Sequence, residues 1–84
     1  MTIMTVRVIN AEFESHDEGE YASVEDAYQA ALHAGVEIVT SEIMNGKPVA
    51  IVEVSVDVAG RTGVRRGAVS LATSLLKSET PAND

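Results

Sequence analysis

The sequence predicts a single α+β domain of 84 residues, in which one amphipathic helix packs on one face of a three-stranded sheet. Three observations predict this class. Apolar residues recur at helical spacing after Ser23, polar residues alternate with the valines from Val52 to Val58, and a turn with two glycines follows at 59–63. The predicted order along the chain is therefore β-α-β-β.

The first strand is predicted within residues 2–14. Its apolar residues change parity after Val8, so the strand either contains a β-bulge there or ends near Asn10. A strand buried on both faces is a third alternative, which Arg7 and Asn10 make less favourable. The polar segment at 14–22 is predicted to be a loop.

The helix is predicted to begin at Ser23, whose hydroxyl can cap the first turn, with Asp26 at the capping-box position. Asn45 and Gly46 are typical of its C-terminal cap. Gly35 lies on the apolar stripe and is expected to mark close contact with the sheet. The stripe consists of Val24, Ala27, Tyr28, Ala31, Leu32, Gly35, Ile38, Val39 and Ile43.

The second and third strands are predicted at 48–58 and at about 64–76. Alternation of apolar and polar residues indicates an antiparallel sheet with one solvent-exposed face. The end of the third strand is left open, because residues 72–77 also suit a short helix. Residues 1–77 are predicted to form the domain, and residues 78–84 are predicted to be a flexible tail.

Composition excludes several kinds of chemistry. The chain has no cysteine, which excludes disulfides, thiolate metal sites and a cysteine nucleophile. Thirteen acidic and six basic residues give a net charge of −7, which argues against binding to nucleic acid. There is no apolar run as long as a membrane span and no signal-like start, so we expect a cytoplasmic protein that does not bind membranes.

Several segments resemble those of a family of short proteobacterial domains of unknown function. The matching features are the acidic segment Asp17–Glu20, the helix start Ser23–Ala27, the Ala- and Glu-rich helix at 27–44 and the hairpin at 52–71. The resemblance covers about residues 6–73. It implies a strand, an acidic loop, a helix and a hairpin, and it implies no catalytic residues.

The acidic excess is local. Residues 12–26 contain seven acidic residues and no lysine or arginine, and the rest of the chain has six acids and six bases. We interpret the segment as a solvated loop followed by ordinary acids at a helix start. The alternative is a divalent-cation site formed by Asp17, Glu18 and Glu20 with His16, although the spacing does not match an EF-hand. The seven acids are Glu12, Glu14, Asp17, Glu18, Glu20, Glu25 and Asp26.

Half of the basic residues lie close together, at Arg61, Arg65 and Arg66. The glycine-containing segment at 60–63 lacks the Lys-Ser/Thr of a phosphate-binding loop, so we interpret it as a hairpin turn. Charges of opposite sign on one small protein favour self-association or a charged protein partner. The candidate interaction surface consists of Glu12, Glu14, Asp17, Glu18, Glu20, Arg61, Arg65 and Arg66.

The sequence offers no catalytic constellation, because no serine lies in a nucleophile elbow and His16 and His33 are far apart. We therefore expect a non-catalytic interaction or regulatory module without a cofactor, able to form a homodimer. Two alternatives remain. One is an acidic, antitoxin-like or nucleic-acid-mimicking binder of a basic partner, and the other is a small enzyme or metal-binding protein with a shallow acidic site.

Overall fold

A computed structural model of the protein describes residues 2–74 and has an α+β fold, with a helix packed against an antiparallel sheet. The predicted α+β class, with one helix packed on a sheet, is thus confirmed. The elements are β1 (Thr2–Ile9), β2 (Glu14–Tyr21), α1 (Val24–Met44), β3 (Val49–Val58) and β4 (Arg61–Ala72).

The sheet has four strands, which lie side by side in the order β2-β1-β3-β4. The order along the chain is β-β-α-β-β, so the prediction of three strands and a chain order of β-α-β-β was wrong. The additional strand is β2, formed by the segment that the sequence predicted to be a loop at 14–22. It pairs antiparallel with β1 from Thr2–Tyr21 to Ile9–Glu14. β1 ends at Ile9, which agrees with a strand end near Asn10 and not with a bulge in a longer strand.

Asn10 organises the turn between β1 and β2. Its side-chain oxygen accepts hydrogen bonds from the backbone N–H groups of Glu12 at 2.7 Å and Phe13 at 2.9 Å. Its own backbone N–H donates to the carbonyl of Phe13 at 2.9 Å. A short side chain that bonds to its own turn is a common way to reverse a strand, and here it closes a hairpin that hydrophobic periodicity does not indicate.

The ends of α1 agree with the predicted caps. Ser23 has an extended backbone, and its hydroxyl oxygen accepts the N–H of Asp26 at 3.1 Å. At the other end, Asn45 is the C-cap residue and Gly46 has a φ of 103°. The N–H of Gly46 donates to the carbonyl of Ile43 at 3.0 Å. Both ends therefore have partners for some of the backbone groups that a helix leaves unpaired.

We expect Ser23→Ala to lower the free energy of unfolding by about 1 kcal/mol, because the N–H of Asp26 loses its acceptor. Urea denaturation followed by circular dichroism would measure the change. Ser41→Ala is the matched control, since Ser41 is exposed inside the same helix and alanine favours helix there. Equal stability of the Ser23→Ala variant and the unmodified chain would contradict this role for the cap.

The core lies between α1 and the two central strands. Small residues on α1, Ala27, Ala31 and Gly35, allow the helix to lie close to the valines of the sheet. A Cβ atom at Gly35 would stand 3.0 Å from Val69 and 3.2 Å from Val52, which confirms the predicted close contact. The buried apolar residues are Met4, Val6, Val8, Ala27, Ala31, Val39, Ala50, Val52, Val54 and Val56.

The hairpin of β3 and β4 is tighter at its tip than predicted. The loop consists of Ala59 and Gly60, with φ values of 50° and 82°, as in a two-residue hairpin loop. The register then shifts between Val56 and Val58, opposite a segment of β4 that contains Gly63 with a φ of 64°. The shift is a bulge that twists the first part of β4.

β4 ends at Ala72, and the N–H of Thr73 donates to the carbonyl of Pro48 at 2.9 Å. The chain therefore continues along β3 at the point where a short helix was the alternative. Residues 75–77 of the predicted domain, which include the end of the predicted third strand, and the predicted tail at 78–84 lie outside the described residues. Within residues 2–74, no helix is long and apolar enough to cross a membrane.

Candidate interaction surfaces

The acidic and basic segments that the sequence predicted as an interaction surface lie on opposite edges of the sheet. β2 and β4 are the first and last strands of the sheet, and β1 and β3 separate them. The acidic edge, defined as β2 with Glu14, Asp17, Glu18 and Glu20, carries no lysine or arginine. β4 carries all three clustered arginines and no acid. The fold thus keeps the acidic edge and the arginines of β4 apart within one molecule.

Strand alternation divides the acidic edge between the two faces of the sheet. Asp17 pairs with Val6, whose side chain is buried under α1, so Asp17 lies on the helix side. Glu18 and Glu20 lie on the open face, which is the face that α1 does not cover. The ligand set suggested for a cation is therefore split. Within residues 2–74 there is no group of three or more His, Asp or Glu side chains that could hold a metal ion.

An ion cluster around Arg7, which the sequence pattern does not indicate, occupies the open face. Arg7 Nη1 lies 3.6 Å from Glu14 Oε2, and Arg7 Nε lies 3.1 Å from Asp57 Oδ2. Arg7 Nη2 donates to the Ser55 hydroxyl at 3.4 Å. The Nε–H is not aligned for a hydrogen bond, so its contact with Asp57 is an ion pair by distance only. Asp57 also accepts the N–H of Gly63 at 2.8 Å, which joins the cluster to the bulge.

A second ion cluster attaches the turn between β1 and β2 to the end of the helix. Lys47 Nζ lies 3.5 Å from Glu12 Oε2 and 3.6 Å from Glu42 Oε1. The side-chain amide of Asn10 donates to Glu42 at 3.1 Å. Glu12 and Glu14, both predicted for an interaction surface, thus have partners within the molecule. Asp17, Glu18 and Glu20 form no ion pair in the part of the chain that the structure describes.

The arginines of β4 point to different faces. Arg65 lies on the helix side, where Nη2 is 3.4 Å from Glu25 Oε1 and the guanidinium lies 4.6 Å from the centre of the Tyr28 ring. Gly67 makes room for that ring, because a Cβ atom there would collide with the tyrosine hydroxyl. Arg66 lies on the open face with Nη2 4.0 Å from Glu53 Oε1, a weak exposed pair. Arg61 forms no ion pair with the described residues.

The second half of β4 is an unpaired edge without charge. From Gly67 to Ala72 the strand reads Gly-Ala-Val-Ser-Leu-Ala, and it has no neighbour on its outer side among residues 2–74. Leu71, on the helix side of this segment, is 40% exposed, and Val36 of α1 is 50% exposed. The charged residues of β4 are thus confined to its first half, at Arg61, Arg65 and Arg66.

The open face carries shallow depressions. One, of about 250 Å³, is lined by Ile9, Asn10, Ala11, Ile51 and Glu53. Another, of about 180 Å³, lies beside Arg7 and Arg66. Both are smaller than the roughly 300 Å³ at which ligand pockets begin. The open face and the two edges of the sheet are the surfaces that residues 2–74 offer to a partner.

We compared the chain with protein-family models, with curated proteins and with solved structures, and no match was found in any of the three comparisons.

Proposed function

We propose that this chain is a non-catalytic interaction module that associates with a second copy of itself through an open edge of its sheet. The observation that carries the proposal is the segment Gly67–Ala72 of β4, which has no partner strand on its outer side among residues 2–74 and carries no charge. On its helix side lie the exposed apolar side chains of Leu71 and Val36. An edge of this kind offers a row of backbone N–H and C=O groups to another strand.

The rest of the sheet edge carries features that oppose such pairing. On β2, four acids within eight residues would repel the same strand of a second copy. In the first half of β4, three arginines and the bulge near Gly63 have the same effect. Gly67–Ala72 has neither charge nor bulge. This contrast supports an interface at that segment, because proteins usually protect edges that stay exposed to solvent.

Pairing of the arginines with the acidic edge of a second copy is the competing arrangement. It has less to gain from charge, because Arg65 and Arg66 already have carboxylate partners in their own chain. It would also leave a free acidic edge at one end and a free β4 at the other. Such a head-to-tail contact adds further copies unless a ring closes.

We expect the purified chain to form a dimer whose population rises with protein concentration. Sedimentation velocity over a concentration series, in about 0.05 M and about 0.5 M salt, would measure it. A dimer made by uncharged strand pairing persists at the higher salt concentration. A monomer at every concentration and both salt concentrations would contradict the proposed function. Salt-sensitive growth beyond a dimer would instead support pairing of the arginines with the acidic edge.

A further inference from the structure

We propose that two copies associate by antiparallel pairing of β4 with β4 about a two-fold axis at Val69, which packs the two α1 helices together on one face of an eight-stranded sheet. The inference rests on the proposed function and specifies its geometry. Its occupant is a second copy of this chain, and its basis is the backbone direction, the charge pattern and the position of α1.

The backbone groups of β4 are oriented for this pairing. The N–H of Thr73 points to β3, because it donates to the carbonyl of Pro48. In an antiparallel strand the bonding direction alternates with each residue, so Leu71, Val69 and Gly67 also bond to β3. The remaining residues of the segment direct their backbone N–H and C=O groups away from β3, toward the outer edge of the sheet. They are Arg66, Ala68, Ser70 and Ala72.

A two-fold axis at Val69 avoids every contact between like charges along the strand. In that register Ala68 lies opposite Ser70 of the second copy, and Gly67 lies opposite Leu71. Arg65 and Arg66 lie opposite Thr73 and Ala72, which are uncharged. The same operation applied to β2 would place acids against acids, because four of its eight residues are acidic.

The position of α1 fits such a dimer. A Cβ atom at Gly35 would contact both Val69 of β4 and Val52 of β3, so the helix crosses the sheet above the boundary between these strands. The helix axis is thus about half a strand spacing inside β4, and the two-fold axis is about half a strand spacing outside it. The helix axis therefore lies about one strand spacing from the two-fold axis, and the second helix lies at the same distance on the other side. Two helices related by that axis would lie about 10 Å apart. That distance is typical of packed helices.

Val36 is the side chain that would fill the contact between the helices. Glu25 forms an ion pair with Arg65 of β4, and the ring of Tyr28 lies against Arg65 and Gly67 of the same strand. Both residues therefore mark the flank of α1 that faces β4. Leu32 and Val36 continue the same flank at spacings of four residues. Val36 also follows Gly35 directly, at the level of Val69. It therefore points beyond the edge of β4, toward the second copy.

We expect Val36→Glu to raise the dissociation constant of the dimer about tenfold or more, because it places a charge in an apolar contact. Val49→Glu is the matched control, since Val49 is 57% exposed on the open face of β3, which is opposite to the face on which the two helices would meet. Both residues are exposed in the single chain, so circular dichroism should show both variants folded. Equal dissociation constants for the two variants would overturn the inference.

A cross-linking experiment tests the register independently. The chain has no cysteine, so each introduced thiol is the only one. About the proposed axis, Ser70 lies diagonally across from Ser70 of the second copy, with the two Cα atoms about 7–8 Å apart. We expect a short bis-maleimide to join two copies of Ser70→Cys in high yield and to leave Ser15→Cys, on β2, largely unlinked.

The two experiments separate failure of the inference from failure of the proposed function. A dimer that forms in solution, tolerates Val36→Glu and is not linked through Ser70→Cys would overturn the β4 geometry and leave self-association standing. Preferential linking through Ser15→Cys would move the interface to β2 and overturn the inference as well. A strict monomer would overturn both.

Discussion

Gly35→Leu is expected to lower the free energy of unfolding by about 3 kcal/mol, because the first added carbon already lies 3.0 Å from Val69 and 3.2 Å from Val52. The remaining carbons have no space unless α1 moves away from the sheet. Leucine favours helix over glycine by roughly 1 kcal/mol, which offsets only part of this cost. A loss of this size is a large fraction of the total stability of a small domain. Denaturation in urea, monitored by circular dichroism, would measure it.

His33→Leu provides the control for this substitution. His33 lies on the exposed side of the same helix, so a leucine there adds an apolar side chain without changing the contact with the sheet. We expect its stability to stay within about 0.5 kcal/mol of the unmodified chain. If Gly35→Leu were as stable as His33→Leu, the helix would not lie as close to β3 and β4 as described.

The elements with strong hydrophobic periodicity could be predicted from the sequence. The stripe on α1 and the alternation in β3 each indicate one buried face, and the structure buries those faces against each other. β2 could not be predicted in this way. Its only large side chain with apolar surface, that of Tyr21, is at the end of the strand. Its polar residues face solvent on both faces of the sheet. What makes it a strand is pairing with β1 and the turn at Asn10.

The charge pattern could be predicted only along the chain and not in space. The sequence shows that acids are concentrated before the helix and arginines near the hairpin tip. It does not show that these segments form opposite edges, because that depends on β2 pairing with β1 instead of looping out. The Arg7 cluster was missed for the same reason. Its partners Glu14 and Asp57 are 7 and 50 positions away, and the sheet order brings them together.

Substitutions in the ion cluster around Arg7 on the open face are expected to have the second large effect on the free energy of unfolding. Removing one member of a partly buried ion pair leaves the other without its counter-charge in a poorly solvated position. Arg7 has 27% of its side chain exposed and Asp57 has 19%, so neither is fully screened by water. Asp57 is also the acceptor for Gly63. The cluster thus links β1 to β3 and to the bulge in β4.

We expect Arg7→Met, which replaces the guanidinium-bearing side chain with an unbranched apolar one, to lower the free energy of unfolding by about 2 kcal/mol. Asp57→Asn retains an acceptor for the N–H of Gly63 and removes only the charge, so it isolates the ion pair. In a double-mutant cycle the two changes should be coupled by about 1 kcal/mol, because each removes the same interaction.

Arg66→Met is the control for loss of an arginine, since the contact of Arg66 with Glu53 is long and exposed. It should change the free energy of unfolding by less than about 0.5 kcal/mol. Additive effects of Arg7→Met and Asp57→Asn would contradict a stabilising contact between them, and the stability of the open face would then have to come from strand pairing alone.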